Sequence, residues 1–198
     1  MPIRNQINAT VFDNSLKVYQ SRVLEKEIFP AHTKGLVRGQ LPQPLARFVA
    51  SIEQKIVALG ERVDKEGGNV KIELVDVINE MVFDGATDAL FGPELCSFAE
   101  STLDRQQLRH TFIAFDSAFP LLVAGLAAGL LPRRIISLWP RLAKGVAARE
   151  GLVSHFSSWI KAGMPGLEEG AIRGVVEAGQ RTEIGEVELG KVLLSAFW

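Results

Sequence analysis

Apolar residues recur along this chain three and four positions apart, and that regularity restricts what it can fold into more than any other feature. Val75, Ile78, Val82, Ala86 and Ala89 form one such stripe, and Leu108, Phe112, Phe115 and Phe119 form another. A spacing near 3.6 lines one face of a helix, whereas a half-buried strand needs alternation with period 2. Alternating β-branched runs bounded by turn residues are nearly absent, so the expected fold class is all-α.

Glycines and prolines divide the pattern into segments. A helix is expected over Lys17–Phe29, stopped by Pro30, and a Gly- and Pro-rich loop then leads to a second helix over Leu45–Glu66, closed by Gly67 and Gly68. Asn69 is placed to cap a third helix, which carries the first stripe to Phe91 before Gly92 and Pro93 break it. The second stripe falls on a fourth helix from Asp104 to about Ala118, which feeds the apolar run AFPLLVAGLAAGLL, Ala118–Leu131. Pro132 suits a first helical turn, and Pro140 is expected to kink the amphipathic stretch through Val146, Leu152, Val153, Phe156 and Ile160. GMPG at Gly163–Gly166 marks a turn, a short helix is expected over Glu168–Ala178, and a last one over Glu186–Trp198. Helix ends normally have their final carbonyls capped, and LGKVLLSAFW stops on apolar residues with no cap. Residues 1–198 are therefore expected to form a single incomplete helical domain, truncated at its C-terminal end.

Composition narrows the partners. A chain of 198 residues that is 47% hydrophobic can bury a core, and this rules out a disordered, collagen-like or disulfide-built protein. With 22 basic against 23 acidic side chains no field gathers nucleic acid. The single thiol, Cys96, excludes an internal disulfide and a multi-cysteine zinc site, and it is expected to act as a small buried hydrophobe. The polar start MPIRNQINATVFDN has no signal-peptide core, and Ala118–Leu131 is shorter than the roughly 18 residues a bilayer span requires.

No self-contained catalytic or metal-binding set emerges. His32, His110 and His155 lie too far apart in sequence for a paired metal motif, and neither GxSxG nor GxGxxG occurs. GEVELGK at Gly185–Lys191 begins like a phosphate-binding loop, but Val192 stands where a magnesium-holding hydroxyl is needed, and Glu186 and Glu188 would repel phosphate. Glu168 and Glu169 are neighbours, so they point to different sides of a helix and cannot form an acid–base pair. Arg133 and Arg134 follow Leu121, Leu122, Leu126, Leu130 and Leu131, an order that suits either a lipid surface, with the leucines dipping in, or an ordinary core.

Two phrases carry a family resemblance: VINEMVFDGATDALFGPEL at Val77–Leu95 and FDSAFPLLVAGL at Phe115–Leu126. They resemble cytochrome P-450 monooxygenases, in the branch that contains cholesterol and oxysterol 7-alpha-hydroxylases and prostacyclin synthase. LLSAFW at the end of the chain is similar to the start of that family's long haem-crossing helix. The resemblance implies a partial cytochrome P-450 fold that binds haem, takes electrons from a reductase and oxidises a hydrophobic, sterol- or lipid-like substrate. It implies membrane association, at the endoplasmic reticulum for the parent family. Phe115, Phe119, Leu121, Leu122 and Leu126 would line or gate the substrate entrance, and Trp198 would stand near the distal haem face.

The family's thiolate motif, Phe-x-x-Gly-x-x-x-Cys-x-Gly, is absent, and Cys96 sits in PELCSF, so it is not the expected axial ligand. The oxygen-activating acid and threonine and the later Glu-x-x-Arg pair are also not in the sequence. This chain alone is accordingly expected to be inactive and not to hold haem stably. The alternative is a stand-alone helical lipid-binding or membrane-surface module that uses Ala118–Arg134 as its contact.

Overall fold

A computed structural model of the chain describes residues 11, 24–28, 30–31, 42–127, 139–167 and 171–197. Every regular element among them is helical, as the apolar period requires. Six α-helices follow one another: α1 Pro42–Lys65, α2 Leu74–Phe91, α3 Arg105–Ala127, α4 Pro140–Lys161, α5 Arg173–Arg181 and α6 Glu186–Phe197. A π-turn, Leu24–Ile28, packs on α5, and a 3-10 turn, Pro93–Cys96, follows α2. None of the described helices is long and apolar enough to cross a membrane.

Small residues set the spacing between helices. A methyl group added to Gly145 of α4 would overlap the Ala118 side chain of α3, and one added to Gly151 would stand 3.7 Å from the Thr111 methyl. As the chain number falls along α3 it rises along α4, so the two helices run antiparallel. α1 and α2 pair in the same sense: Phe48 lies over Gly85, where a Cβ would meet its ring at 2.8 Å, and Lys55 reaches Glu80 and Asp84. At Gly190, α6 presses on α4 closely enough for a Cβ to lie 2.9 Å from the Ser157 hydroxyl.

The core forms where these pairs meet. Phe91, at the end of α2, stacks 5.0 Å from Phe156 and meets Trp159 edge-on at 5.9 Å, joining α2 to α4. The Trp159 indole N–H donates to the Pro165 carbonyl at 3.1 Å, which secures the turn after α4. That turn folds on left-handed Gly163, Met164 and Gly166, as GMPG predicts. The backbone N–H groups of Ala171 and Ile172 donate to the Ala89 and Leu90 carbonyls at 3.0 and 3.1 Å, so the end of α2 is satisfied by the approach to α5.

Several boundaries differ from the sequence expectation. α3 does not end near Ala118; it continues through Pro120 to Ala127. Pro120 and Asp116, whose carbonyl loses its helical donor, are both exposed, so water reaches the break. Pro140 does not kink a helix but opens α4 at a position where its missing N–H is not needed. Asn69 does not cap α2, which starts at Leu74 after Glu73. The short helix begins at Arg173, not Glu168. Of the expected Lys17–Phe29 helix only Leu24–Ile28 is described, and Pro132 lies outside the described residues.

The stripe on α2 is buried only toward its end, at Ala89. Phe83, Thr87 and Phe91 face the core, while Val75, Ile78 and Val82 are 61%, 48% and 49% exposed. In the buried row Phe83 meets Phe112 of α3 and Phe91 meets Phe156 and Trp159 of α4, so packing partners, not apolarity alone, decide which face turns inward.

The Gly145 contact gives a signed expectation. Gly145→Ala gains helix propensity worth about 1 kcal/mol but must push α3 away, and overpacking of this kind costs about 1–3 kcal/mol. It should lower stability in urea titration, and Ala118→Gly in the same chain should restore part of the loss. Gly60→Ala, where a Cβ meets nothing within 4 Å, should instead stabilise by about 1 kcal/mol.

Candidate functional site

The resemblance places substrate-entrance residues on α3, and the second half of that helix presents two kinds of position. Phe115 and Leu122, two turns apart, are completely buried, whereas Phe119 and Leu121 are half-buried and pack against the core from its edge. Phe115 and Phe119 meet edge-to-face with centroids 6.0 Å apart. The helix thus anchors itself with one pair and leaves the other pair near solvent. Leu126 lies on the last turn of α3, but its side chain, like all of Trp198, falls outside what the structure describes.

The polar groups of the interior are occupied with holding helices together. His155 of α4 is fully buried, its Nε2 3.1 Å from the Leu95 carbonyl and its Nδ1 3.2 Å from the Thr102 hydroxyl. A carbonyl can only accept, so Nε2 carries the proton and Nδ1 accepts from Thr102. Burial pushes the imidazole down to about 4, against the opposing pull of the Leu95 carbonyl, and the ring is neutral at neutral pH. The other described histidine, His110, is exposed; His32 lies outside the described residues.

A second polar cluster joins three helices. Glu80, Asp84 and Asp88 recur every four residues along α2, and Arg105 and Arg109 do so along α3. Arg105 Nη2 meets Asp88 Oδ1 at 2.7 Å, and Arg109 Nη1 meets Glu80 Oε1 at 3.3 Å. From α1, Lys55 Nζ lies 2.7 Å from Glu80 Oε1 and 2.8 Å from Asp84 Oδ2. Burial works against the Lys55 charge, but the two carboxylates outweigh it and raise its pKa above the ordinary value. Lys55, assisted by Arg109, holds the Glu80 carboxyl below the usual range against the opposing effect of burial. Asp84 is only 1% exposed, neither of its oxygens receives a well-directed hydrogen bond, and Lys55 is the cation paired with it, with Arg105 a more distant one.

These geometries limit the chemistry. Cys96 is partly buried, more exposed than the sequence suggests, yet burial still pushes its thiol up to about 11, so it is neither a ready thiolate ligand nor a nucleophile. Both nitrogens of His155 are engaged. Haem iron requires an axial donor, and neither Cys96 nor His155 is placed to act as one. Among the described residues no cluster of three His, Cys, Asp or Glu side chains could hold a metal. Lys191, the lysine of the GEVELGK stretch, is bound to Glu188 at 2.9 Å, which agrees with a chance likeness to a phosphate loop. Comparison with protein-family models, curated proteins and solved structures returns no match.

The ion cluster was partly visible in the sequence through the fourfold spacing of its acids and arginines; nothing local announced Lys55 or the His155 contacts, which span many residues of chain.

Two measurements follow. The folded His155 titrates near 4 and the unfolded one near 6.5, so the unfolded chain binds a proton first as pH falls. Stability should be full above about pH 6.5 and decline toward pH 4 by up to about 3 kcal/mol, and His155→Gln should flatten that part of the urea-stability profile. Lys55→Met removes the cation paired with buried Asp84 and should cost about 3 kcal/mol, the low end for a buried pair because Lys55 is partly exposed, with most of it recovered by adding Asp84→Asn.

Proposed function

We propose that this chain is the substrate-admitting part of a haem-thiolate monooxygenase of the cytochrome P-450 type. Its own contribution is to receive a hydrophobic, sterol- or lipid-like molecule along α3. The observation that carries this reading is the placement of FDSAFPLLVAGL, Phe115–Leu126, on one unbroken helix. Within it Phe115 and Leu122 fix the helix to the core while Phe119 and Leu121 sit at the core's edge. An apolar molecule at that edge would exchange water for aromatic and aliphatic contact without requiring the anchor pair to move.

Bond-making is assigned to residues the chain does not contain. Its sequence has no haem-thiolate motif, and Cys96 and His155 serve other purposes. Electrons from a reductase, haem itself and residence at the endoplasmic-reticulum membrane would belong to the complete family member. Trp198 near the distal haem face is part of the same proposal.

A second reading is favoured by the partial exposure of Phe119, Leu121 and Val123. In it the same helix rests on a lipid surface as a stand-alone module. The two separate in one experiment, titration of the purified chain with a fluorescent sterol and, in parallel, with neutral phosphatidylcholine vesicles. The monooxygenase reading expects saturable sterol binding without vesicles, weakened severalfold by Phe119→Ala and Leu121→Ala while helicity is unchanged. Vesicle binding with no affinity for dispersed sterol would favour the surface module, and sterol binding indifferent to both substitutions would defeat the assignment to α3.

A further inference from the structure

The helical pair α1–α2 carries an apolar face that no described residue covers. Along α1, Leu45, Val49, Ile52, Ile56, Leu59 and Val63 are spaced four, three, four, three and four apart, a heptad seam sustained over the whole helix. Ile52, Leu59 and Val63 of this row are half-buried toward the side that meets α2, marked by Phe48 and Lys55, and Leu45, Val49 and Ile56 form its outer edge. Leu45, Val49 and Ile56 are 53%, 45% and 56% exposed. On α2, Val75, Ile78 and Val82 are 61%, 48% and 49% exposed.

The two stripes lie on the same side of the pair. At about 100° per residue, Ile78 and Val82 stand roughly half a turn round α2 from Glu80, the residue that reaches Arg109 of α3. The apolar stripe of α2 therefore points away from α3. The antiparallel register that brings Phe48 to Gly85 and Lys55 to Glu80 and Asp84 puts Ile56 abreast of Ile78. With a quarter-turn offset in the same sense on each antiparallel helix, the α1 seam and the α2 stripe merge into one surface. Six half-exposed side chains amount to roughly 500 Å² of apolar area, near the upper end for a free monomer, where the largest patch is about 300–600 Å².

We propose that this face joins two copies of the chain, with α1 of each laid on α2 of the other to form a four-helix layer. Area and pattern both favour this occupant. Two such faces bury roughly 1,000 Å² in total, the lower bound for a specific interface. The outer edge Leu45, Val49 and Ile56 runs about three turns along α1 and calls for a helix as counterpart, and a second copy supplies two. Setting α1 on the other copy's α2 also brings the acidic outer rim of α1, Glu53 and Asp64, beside the uncharged Asn79 of α2 and not beside itself. The same acids oppose an anionic lipid surface.

Sedimentation velocity of the full chain over a micromolar concentration series tests this. The expected result is a reversible dimer that Ile56→Glu and Ile78→Glu each weaken at least tenfold, with far-ultraviolet circular dichroism unchanged. Val49→Gln, a milder change on the same face, should weaken it in the same direction should either charged variant fail to fold. A monomer throughout the series would overturn the proposal, as would a dimer that all three variants leave intact. Binding to phosphatidylserine vesicles that the Glu variants abolish, in a chain that stays monomeric, would overturn it in favour of a bilayer. None of these outcomes depends on sterol binding by α3.

Discussion

The fold rests on how closely α3 and α4 approach. Gly145 gives α4 a flat place where the Ala118 methyl can sit, and without it the helices would separate along the seam that buries Phe115, Leu122, Leu152 and Phe156. Those side chains are among the largest the core encloses, and interior packing does not tolerate the gap that a displaced helix would leave. α6 uses the same device at Gly190, against Ser157 and the Val153 carbonyl. Close backbone approach at single glycines thus determines where the aromatic interior can form.

Polar groups in this interior do structural work. His155 ties α4 to the turn after α2 by accepting from Thr102 and donating to Leu95, and the neutral form needed for both bonds is the one burial favours. The Lys55, Glu80, Asp84 and Arg109 cluster fixes α1 and α3 on α2, with Asp84 as its sensitive member. Because these groups are committed to packing, what α3 offers a ligand is apolar: Phe119 and Leu121 at the edge, backed by Phe115 and Leu122.

Much of the helical order was legible from period and punctuation. Gly67 and Gly68 follow the end of α1, Gly92 and Pro93 follow α2, and GMPG turns the chain after α4. Prolines were harder to read, because Pro120 is tolerated on an exposed face and Pro140 at a helix start, and only exposure and position distinguish these from a break. The α2 stripe misled for a related reason: Val75, Ile78 and Val82 have the right spacing, but Phe83 and Phe91 are the residues that meet aromatic partners on α3 and α4. Of the site residues, Phe115 and Phe119 fell on one helix face as their spacing indicates, while the roles of Lys55 and His155 depend on partners distant in sequence.

The central proposal is that α3 receives an apolar molecule and that Cys96 supplies no thiolate to iron. Haem titration of the purified chain, followed by the ferrous carbon-monoxide difference spectrum, tests it most directly. The expected spectrum lacks the red-shifted Soret band of thiolate-ligated haem, and Cys96→Ser leaves it unchanged. A thiolate band that Cys96→Ser removes would contradict the claim and make Cys96 the axial ligand.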